Sequence, residues 1–312
     1  MLVTGAGGYV GSGLVDTLGG EGWEVRALVR ERAPHLAVEH TIADLARDPE
    51  AAAQACKGAD TVVHLAGDNE VLAAQDPAAA LEGTVLATER AVDAARAMEV
   101  KRFVYMSTMH VYGARIEEGA KLTEQLRPEP RSIYAIARLA SEHIAATLAS
   151  AGTEVVVLRL TNSLGAPAHP AVDRWTLVAN DLCRQGVLSG RLELRSSGVQ
   201  WRDFVALRDV RAIVAAACRF DSTVLPAGTY NLGSGRPMTI RQLAAVVQDA
   251  FERRTGARPE LRAPEPGPSR PEPYYVSVDR AASHGLSADT PVEEAVDETV
   301  RFCIDHREAL PA

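Results

Sequence analysis

The sequence has little of what would place it in a specialised class. Its only cysteines are Cys56, Cys183, Cys218 and Cys303, with no Cys-x-x-Cys pair among them. That scatter supports neither a disulfide framework nor a metal site. The thiols are expected to be reduced and packed in helices of a cytoplasmic protein. No run approaches the roughly 20 apolar residues that span a bilayer. The chain opens Met1-Leu2-Val3-Thr4-Gly5 without a charged n-region or cleavage site, so no secretion signal is expected. Lysine is confined to Lys57, Lys101 and Lys121, and the dominance of arginine reads as codon usage. The formal net charge is -8 and no basic run occurs, so nucleic acid is not an expected partner. What remains, 46% hydrophobic and 24% charged over 312 residues, is ordinary for a globular chain with one large α/β domain.

Strand-length apolar runs alternate with amphipathic stretches through the first half. Strands are expected over Met1 to Thr4, Glu24 to Val29, Thr61 to Leu65, Arg102 to Met106 and Glu154 to Leu160. Helices are expected over Tyr9 to Leu18, Glu50 to Ala55, Ala78 to Met98 with a break near Gly83, and Tyr134 to Ala149. This alternation implies a parallel sheet with right-handed crossovers, and strands apolar on both faces imply helices on both sides. Beyond Leu160 the pattern is irregular. Asn162 to Pro170 reads as a loop, Thr176 to Gln185 as a helix ending at Gly186, and Leu192 to Arg195 as a short strand. Ala206 to Ala217 and Thr239 to Arg254 read as helical in part, and the proline-dense Ala263 to Pro273 as a loop. The expected fold is a doubly wound α/β Rossmann sheet over residues 1–165, with 200–232 returning to it. A smaller C-terminal α/β substrate lobe is expected from 166–199 and 233–312.

Thr4-Gly5-Ala6-Gly7-Gly8-Tyr9-Val10-Gly11 stands at a strand-to-helix turn. There Gly5 permits the tight turn, Gly8 lets the backbone approach a pyrophosphate, and Gly11 permits close helix–strand packing, with Tyr9 and Val10 in the first helical turn. A dinucleotide is therefore expected. The second strand ends Leu28-Val29-Arg30-Glu31-Arg32, without the acid at its tip that accepts a ribose 2′-hydroxyl. Arg30 with Arg32 either pairs a 2′-phosphate or is solvated; the first reading favours NADP over NAD.

Three further pieces align. The fourth strand ends Ser107-Thr108-Met109-His110-Val111-Tyr112-Gly113, and a later helix carries Tyr134-Ala135-Ile136-Ala137-Arg138 with its first and last side chains on one face. The fifth strand ends Thr161-Asn162-Ser163-Leu164-Gly165. With the glycine triplet, these resemble the extended short-chain dehydrogenase/reductase family, NAD-dependent epimerase/dehydratase branch, over essentially the whole chain. The resemblance implies that Tyr134 is the general acid/base and that Thr108 hydrogen-bonds the reacting oxygen. A phenol needs its pKa lowered from about 10 to work near neutrality, and a nearby cation does that. It further implies cofactor contacts from Ser107, Asp44-Leu45 and Leu65-Ala66-Gly67. His64 then falls at a strand end as a structural histidine.

Two positions depart from the family pattern. Arg138 stands where the motif has lysine, keeping the charge but changing its shape. Ala80 stands where the family often has asparagine.

The resemblance also bears on the reaction. Sugar dehydratases of the family place an Asp-Glu pair after the catalytic threonine and decarboxylases a Glu; Met109-His110 here disfavours both. Gln200-Trp201-Arg202-Asp203-Phe204 resembles the segment whose arginine contacts a nucleotide diphosphate. Asn162, Arg270 and His110 complete the expected substrate set, although Arg202 and Arg270 also admit structural roles. The resemblance thus implies an epimerase acting on a nucleotide-linked sugar through a transient ketone. An NADPH-dependent ketoreductase and a non-catalytic NAD(P)-binding sensor are the alternatives. It also implies a homodimer, formed by the Ala78 to Met98 and Tyr134 to Ala149 helices against their symmetry mates.

Overall fold

The computed structural model describes residues 1–219, 225–268 and 271–311. Seven parallel strands form the large sheet: β1 (Leu2–Thr4), β2 (Arg26–Val29), β3 (His40–Ile42), β4 (Thr61–His64), β5 (Arg102–Thr108), β6 (Glu154–Leu160) and β7 (Gly228–Leu232). Their spatial order is β7-β6-β5-β4-β1-β2-β3. The order reverses between β1 and β4, so a crevice opens there at the strand ends, beside the glycine triplet.

Alternate residues of each strand point to opposite faces, and both faces are apolar. Val104 and Met106 pack with Leu14 and Leu18 of helix α1 (Tyr9–Gly20) and with Val210 and Val214 of the helix Leu207–Ala217. Phe103 and Tyr105 pack on the other face with Ala52 and Ala55 of α2 (Pro49–Cys56), Ala91 and Val92 of α3 (Ala87–Ala97) and Ala145 of α4 (Ile133–Ala146). A third apolar cluster holds the later elements together. It joins α5 (Val178–Ser189), α6 (Leu207–Ala217, through the neighbouring Ala206), α7 (Ile240–Thr255) and α8 (Val292–Asp305) through Leu182, Leu243, Val247, Phe251, Val296 and Val300.

The structure corrects the sequence reading where pairing partners lie far away along the chain. The three residues of β3, the strand β7 and the strand Trp201–Ala206 carry no run long enough to read alone. Asn162–Leu164, expected as loop, pairs in parallel with Phe204 to Ala206. Helix α5 does not stop at Gly186. That glycine leaves room for the Phe251 ring, and the helix ends at Gly190, whose φ of 68° is the left-handed cap. The expected break near Gly83 is a π-helical segment, Glu82–Leu86, between the short helix Pro77–Leu81 and α3. Helix α8 is absent from the sequence reading altogether.

Arg102, at the start of β5, is fully buried. Its guanidinium donates to the carbonyls of Ala217 and Leu225 at 2.6 and 2.5 Å and pairs with Glu154. One side chain thus ties β5, β6 and the end of α6. Among the described residues no helix is long and apolar enough to cross a membrane, and no group of three or more His, Cys, Asp or Glu is arranged for a metal.

Candidate active site

The turn after β1 has the geometry a dinucleotide needs. Gly5 adopts a φ of 66°, and a Cβ there would stand 2.8 Å from the Ala66 amide. A Cβ at Gly11 would run into the Gly5 carbonyl, so α1 can approach β1 only with glycine at that position. Gly8 caps α1 without a side-chain bond, and no acid stands in the first turn. The open amides and the positive end of the helix dipole therefore face the crevice, as an anion site requires.

Two adjoining hollows, about 390 and 480 Å³, share this turn. The first is lined by Gly5, Gly8, Tyr9, Val10, Gly11, Arg30, Leu65 and Gly67 on one side, and by Ser107, Thr108, His110, Tyr134, Arg138 and Asn162 on the other. The second holds Asp44, Leu45 and Ala66, with Arg30 and Arg32 at its rim. The residues fit an extended dinucleotide: the Gly8 turn would hold its phosphates, and the two hollows would take its two ends.

Arg138 is buried and lies over the Tyr134 ring, its guanidinium carbon 5.5 Å from the centroid. Its Nη atoms donate to the Met106 and Asp68 carbonyls at 3.4 and 3.3 Å, while Nε has no partner. Burial opposes the charge, but the phenols of Tyr105 and Tyr134 more than offset that, and its pKa is held above the ordinary value. A Cβ at Gly67 would stand 3.0 Å from this guanidinium, so glycine there provides the space that arginine needs. The Tyr105 hydroxyl is buried near Arg138 and Ser141 without the geometry of a full hydrogen bond to either, and burial raises its pKa.

Two buried polar chains fix α4, the helix that carries Tyr134. In one, Ser107 donates to Glu142, and Glu142 pairs with Arg159 of β6 through bonds of 3.0 and 2.7 Å. In the other, His64 bonds Thr4 at 2.8 Å and Thr88 at 3.1 Å, and Thr88 meets Ser141 at 3.0 Å. His64 is thus a structural histidine with both ring nitrogens engaged. Burial, aided by the Arg138 charge, lowers its pKa to about 3.

His110 packs edge-on to Tyr134, with ring centroids 6.2 Å apart. It shows surface to the hollow but is ringed by protein, and burial followed by Arg202 lowers its pKa against the opposing pull of Glu70. Asn162 lines the first hollow and donates to the Asp203 carbonyl at 2.9 Å. Arg202 stands outside the lining of the first hollow: it donates to the Trp201 carbonyl at 2.7 Å and faces His110 and Tyr274. Nor does it pair with Asp203, which turns to Thr161 and Ser234. Arg270 lies outside the described residues. Ala80 is buried on the short helix before the π segment, away from the hollows.

Several lining residues escaped the sequence reading: Asp68, Asn69, Glu70, Asp173, Arg174 and Leu177. The first three directly follow the Leu65-Ala66-Gly67 turn, so their position was the available signal. Asp173 and Arg174 belong to a segment from Ala166 to Leu177 that crosses the groove. His169 of this segment stacks on His35 at 5.4 Å, and Arg174 pairs with Glu70 at 2.8 Å. The Tyr9 hydroxyl donates to the Gly165 carbonyl at 2.7 Å where the segment begins.

Residues 1–233 match the NAD dependent epimerase/dehydratase family, and the chain belongs to that family. It is 33% identical over 195 residues to the GDP-6-deoxy-D-mannose reductase of Pseudomonas aeruginosa, covering 61% of this chain and 62% of that enzyme. It is 28% identical over 270 residues to the dTDP-glucose 4,6-dehydratase of Streptomyces griseus, covering 80% and 78%. The UDP-glucose 4-epimerase of Thermus thermophilus, solved with NAD, superposes with a TM-score of 0.81 at 28% identity, over 96% and 97% of the two chains. The protein is an NAD(P)-dependent enzyme of the extended short-chain dehydrogenase/reductase type with a Rossmann fold, and the sensor reading is disfavoured.

The His64 network makes stability sensitive to acid. The unfolded histidine takes up a proton below about pH 6.5, while the folded one resists until about pH 3, so this contribution is complete above 6.5 and is lost as pH falls. Urea unfolding of wild type and His64→Gln is expected to show their stability gap shrinking by roughly 2 kcal/mol from pH 7 to pH 5. A gap independent of pH would show that His64 titrates alike in both states.

Proposed function

We propose that the enzyme inverts a hydroxyl on a nucleotide-linked sugar, oxidising it to a transient ketone and returning hydride to the opposite face. The observation that supports this reading is the Ala166 to Leu177 segment, which crosses the dinucleotide groove and is anchored on both of its sides. An epimerase returns every hydride it takes, so its cofactor can stay beneath such a cover through many turnovers. When bound, the nicotinamide supplies the hydride acceptor and donor.

In this reading Tyr134 takes the proton of the sugar hydroxyl as it is oxidised and gives it back on reduction. Thr108 hydrogen-bonds the same oxygen, and Arg138 holds positive charge beside the phenol. Ser107 positions the end of β5 through Glu142. Asn162 and His110 face the sugar. No carboxylate follows Thr108, which weighs against elimination of water. The protein is read as cytoplasmic, in keeping with its buried, unpaired cysteines.

A second reading is an NADPH-dependent ketoreductase. Arg30 and Arg32 line the adenosine hollow without an acid at the tip of β2, which supports NADP over NAD. Arg30 pairs with Asp68 at 3.1 Å and would turn from it to meet a 2′-phosphate.

Denaturing freshly purified protein and identifying the released nucleotide separates the two readings. Stoichiometric NAD⁺ is the epimerase outcome; empty protein that prefers NADPH to NADH overturns it in favour of the reductase. Replacing Tyr134 by Phe is expected to lower turnover by about a hundred- to ten-thousandfold, the range of general acid/base catalysis. Equal turnover would remove Tyr134 from the chemistry. We further propose a homodimer through α3 and α4, to be read by sedimentation on dilution; monomer at every concentration overturns it.

A further inference from the structure

Between α6 and α8, outside the cleft, lies another hollow of about 530 Å³, walled by Gly165, Arg208, Arg211, Glu298, Arg301 and His306 among others. We propose that it is a binding site for a small oxyanion, a phosphate or carboxylate group, with Arg211 and Arg301 as its ligands.

Arg211 of α6 lies flat against α1. A Cβ at Gly13 would overlap its guanidinium, so the arginine depends on glycine in mid-helix, a residue that costs a helix about 1 kcal/mol relative to alanine. For all that, Nε and Nη2 of Arg211 are shielded from water and have no partner. A charged fork without partners is a poor resting state, because a desolvated donor forfeits its hydrogen bonds to water. Burial accordingly lowers the Arg211 pKa, against opposing influences from Tyr9 and Asp16. Rotation into the hollow that it already lines would bring the fork to an oxyanion, which a guanidinium binds through two parallel bonds.

The neighbours complete the electrostatics. Arg208 is taken up by Glu294 and Glu298. Arg301 makes no ion pair among the described residues, and Asp305 and Glu298 are the carboxylates of the wall. Arg211 and Arg301 are therefore the cations left to meet a ligand, with the His306 ring tilted against Phe302 at the edge.

The test is calorimetric titration of inorganic phosphate, and separately of citrate, into the folded full chain first saturated with its nucleotide. Saturation keeps phosphate off the α1 N-terminus. Saturable binding of either anion is expected, with the tighter one naming the group, weakened about ten- to a hundredfold in Arg211→Met and in Arg301→Met. Arg301 is exposed, so its variant tests the site even if Arg211→Met fails to fold. No saturable heat with either anion up to about 10 mM, a range that would reveal even millimolar affinity, overturns the proposal. So does undiminished binding in folded variants.

Discussion

The placement of Tyr134 and Thr108 depends on the buried pair of Glu142 and Arg159. The buried apolar side chains of helix α4 are the small Ala135, Ala137 and Ala145, which offer little to stop one register from sliding into another. A buried ion pair stops it. Leaving one member unpaired costs about 3–5 kcal/mol, a large share of the net stability of a domain. Burial works against the charge of Arg159, and Glu142 more than offsets it, so each partner holds the other in place. Because Glu142 also accepts from Ser107, the same pair fixes the end of β5, where Thr108 follows. Tyr134 and Thr108 lie on different elements, yet one carboxylate sets both.

The arginine at position 138 is part of a connected arrangement. A guanidinium is wider than an ammonium and needs both space and in-plane acceptors. Gly67 supplies the space, and the carbonyls of Met106 and Asp68 supply the acceptors. Asp68 is held in turn, its amide donating to the Thr84 hydroxyl and its carboxylate lying over Gly83, where a side chain would displace it. That carboxylate then meets Arg30 beyond the tip of β2. A chain of contacts therefore runs from the Tyr134 phenol to the second hollow. Substituting any member shifts the seat of the next.

How much of this was legible follows from how far apart the partners stand in sequence. The glycine triplet, the Thr108 strand end and the Tyr134 to Arg138 spacing are local patterns, and each appears in the cleft as the residues imply. Arg202 was placed by a local motif as well, but its direction depends on Tyr274 and His110, which reach it from distant segments. Arg174 and Glu70 are separated by 104 positions, and Arg211 meets Gly13 across almost 200, so no window of sequence contains either pair. The short strands β3 and β7 fail to read for the same reason: their pairing, and not their composition, makes them strands.

The segment over the groove shows why polar contacts alone do not decide whether a cofactor is kept. Its pair of Arg174 with Glu70 is part-exposed, and pairs of that kind contribute about 1 kcal/mol or less. The His35–His169 stack adds a term of similar size. Between these contacts Val172 is buried in the same apolar cluster as Ala33 and Leu36, which follow the tip of β2. Burying a valine contributes about 1.5–3 kcal/mol, and withdrawing it returns its surface to water. The polar contacts can break and re-form in solvent at little cost, whereas the groove cannot open without exposing Val172. The segment over the groove is therefore held more by burial of Val172 and Trp175 than by its polar contacts.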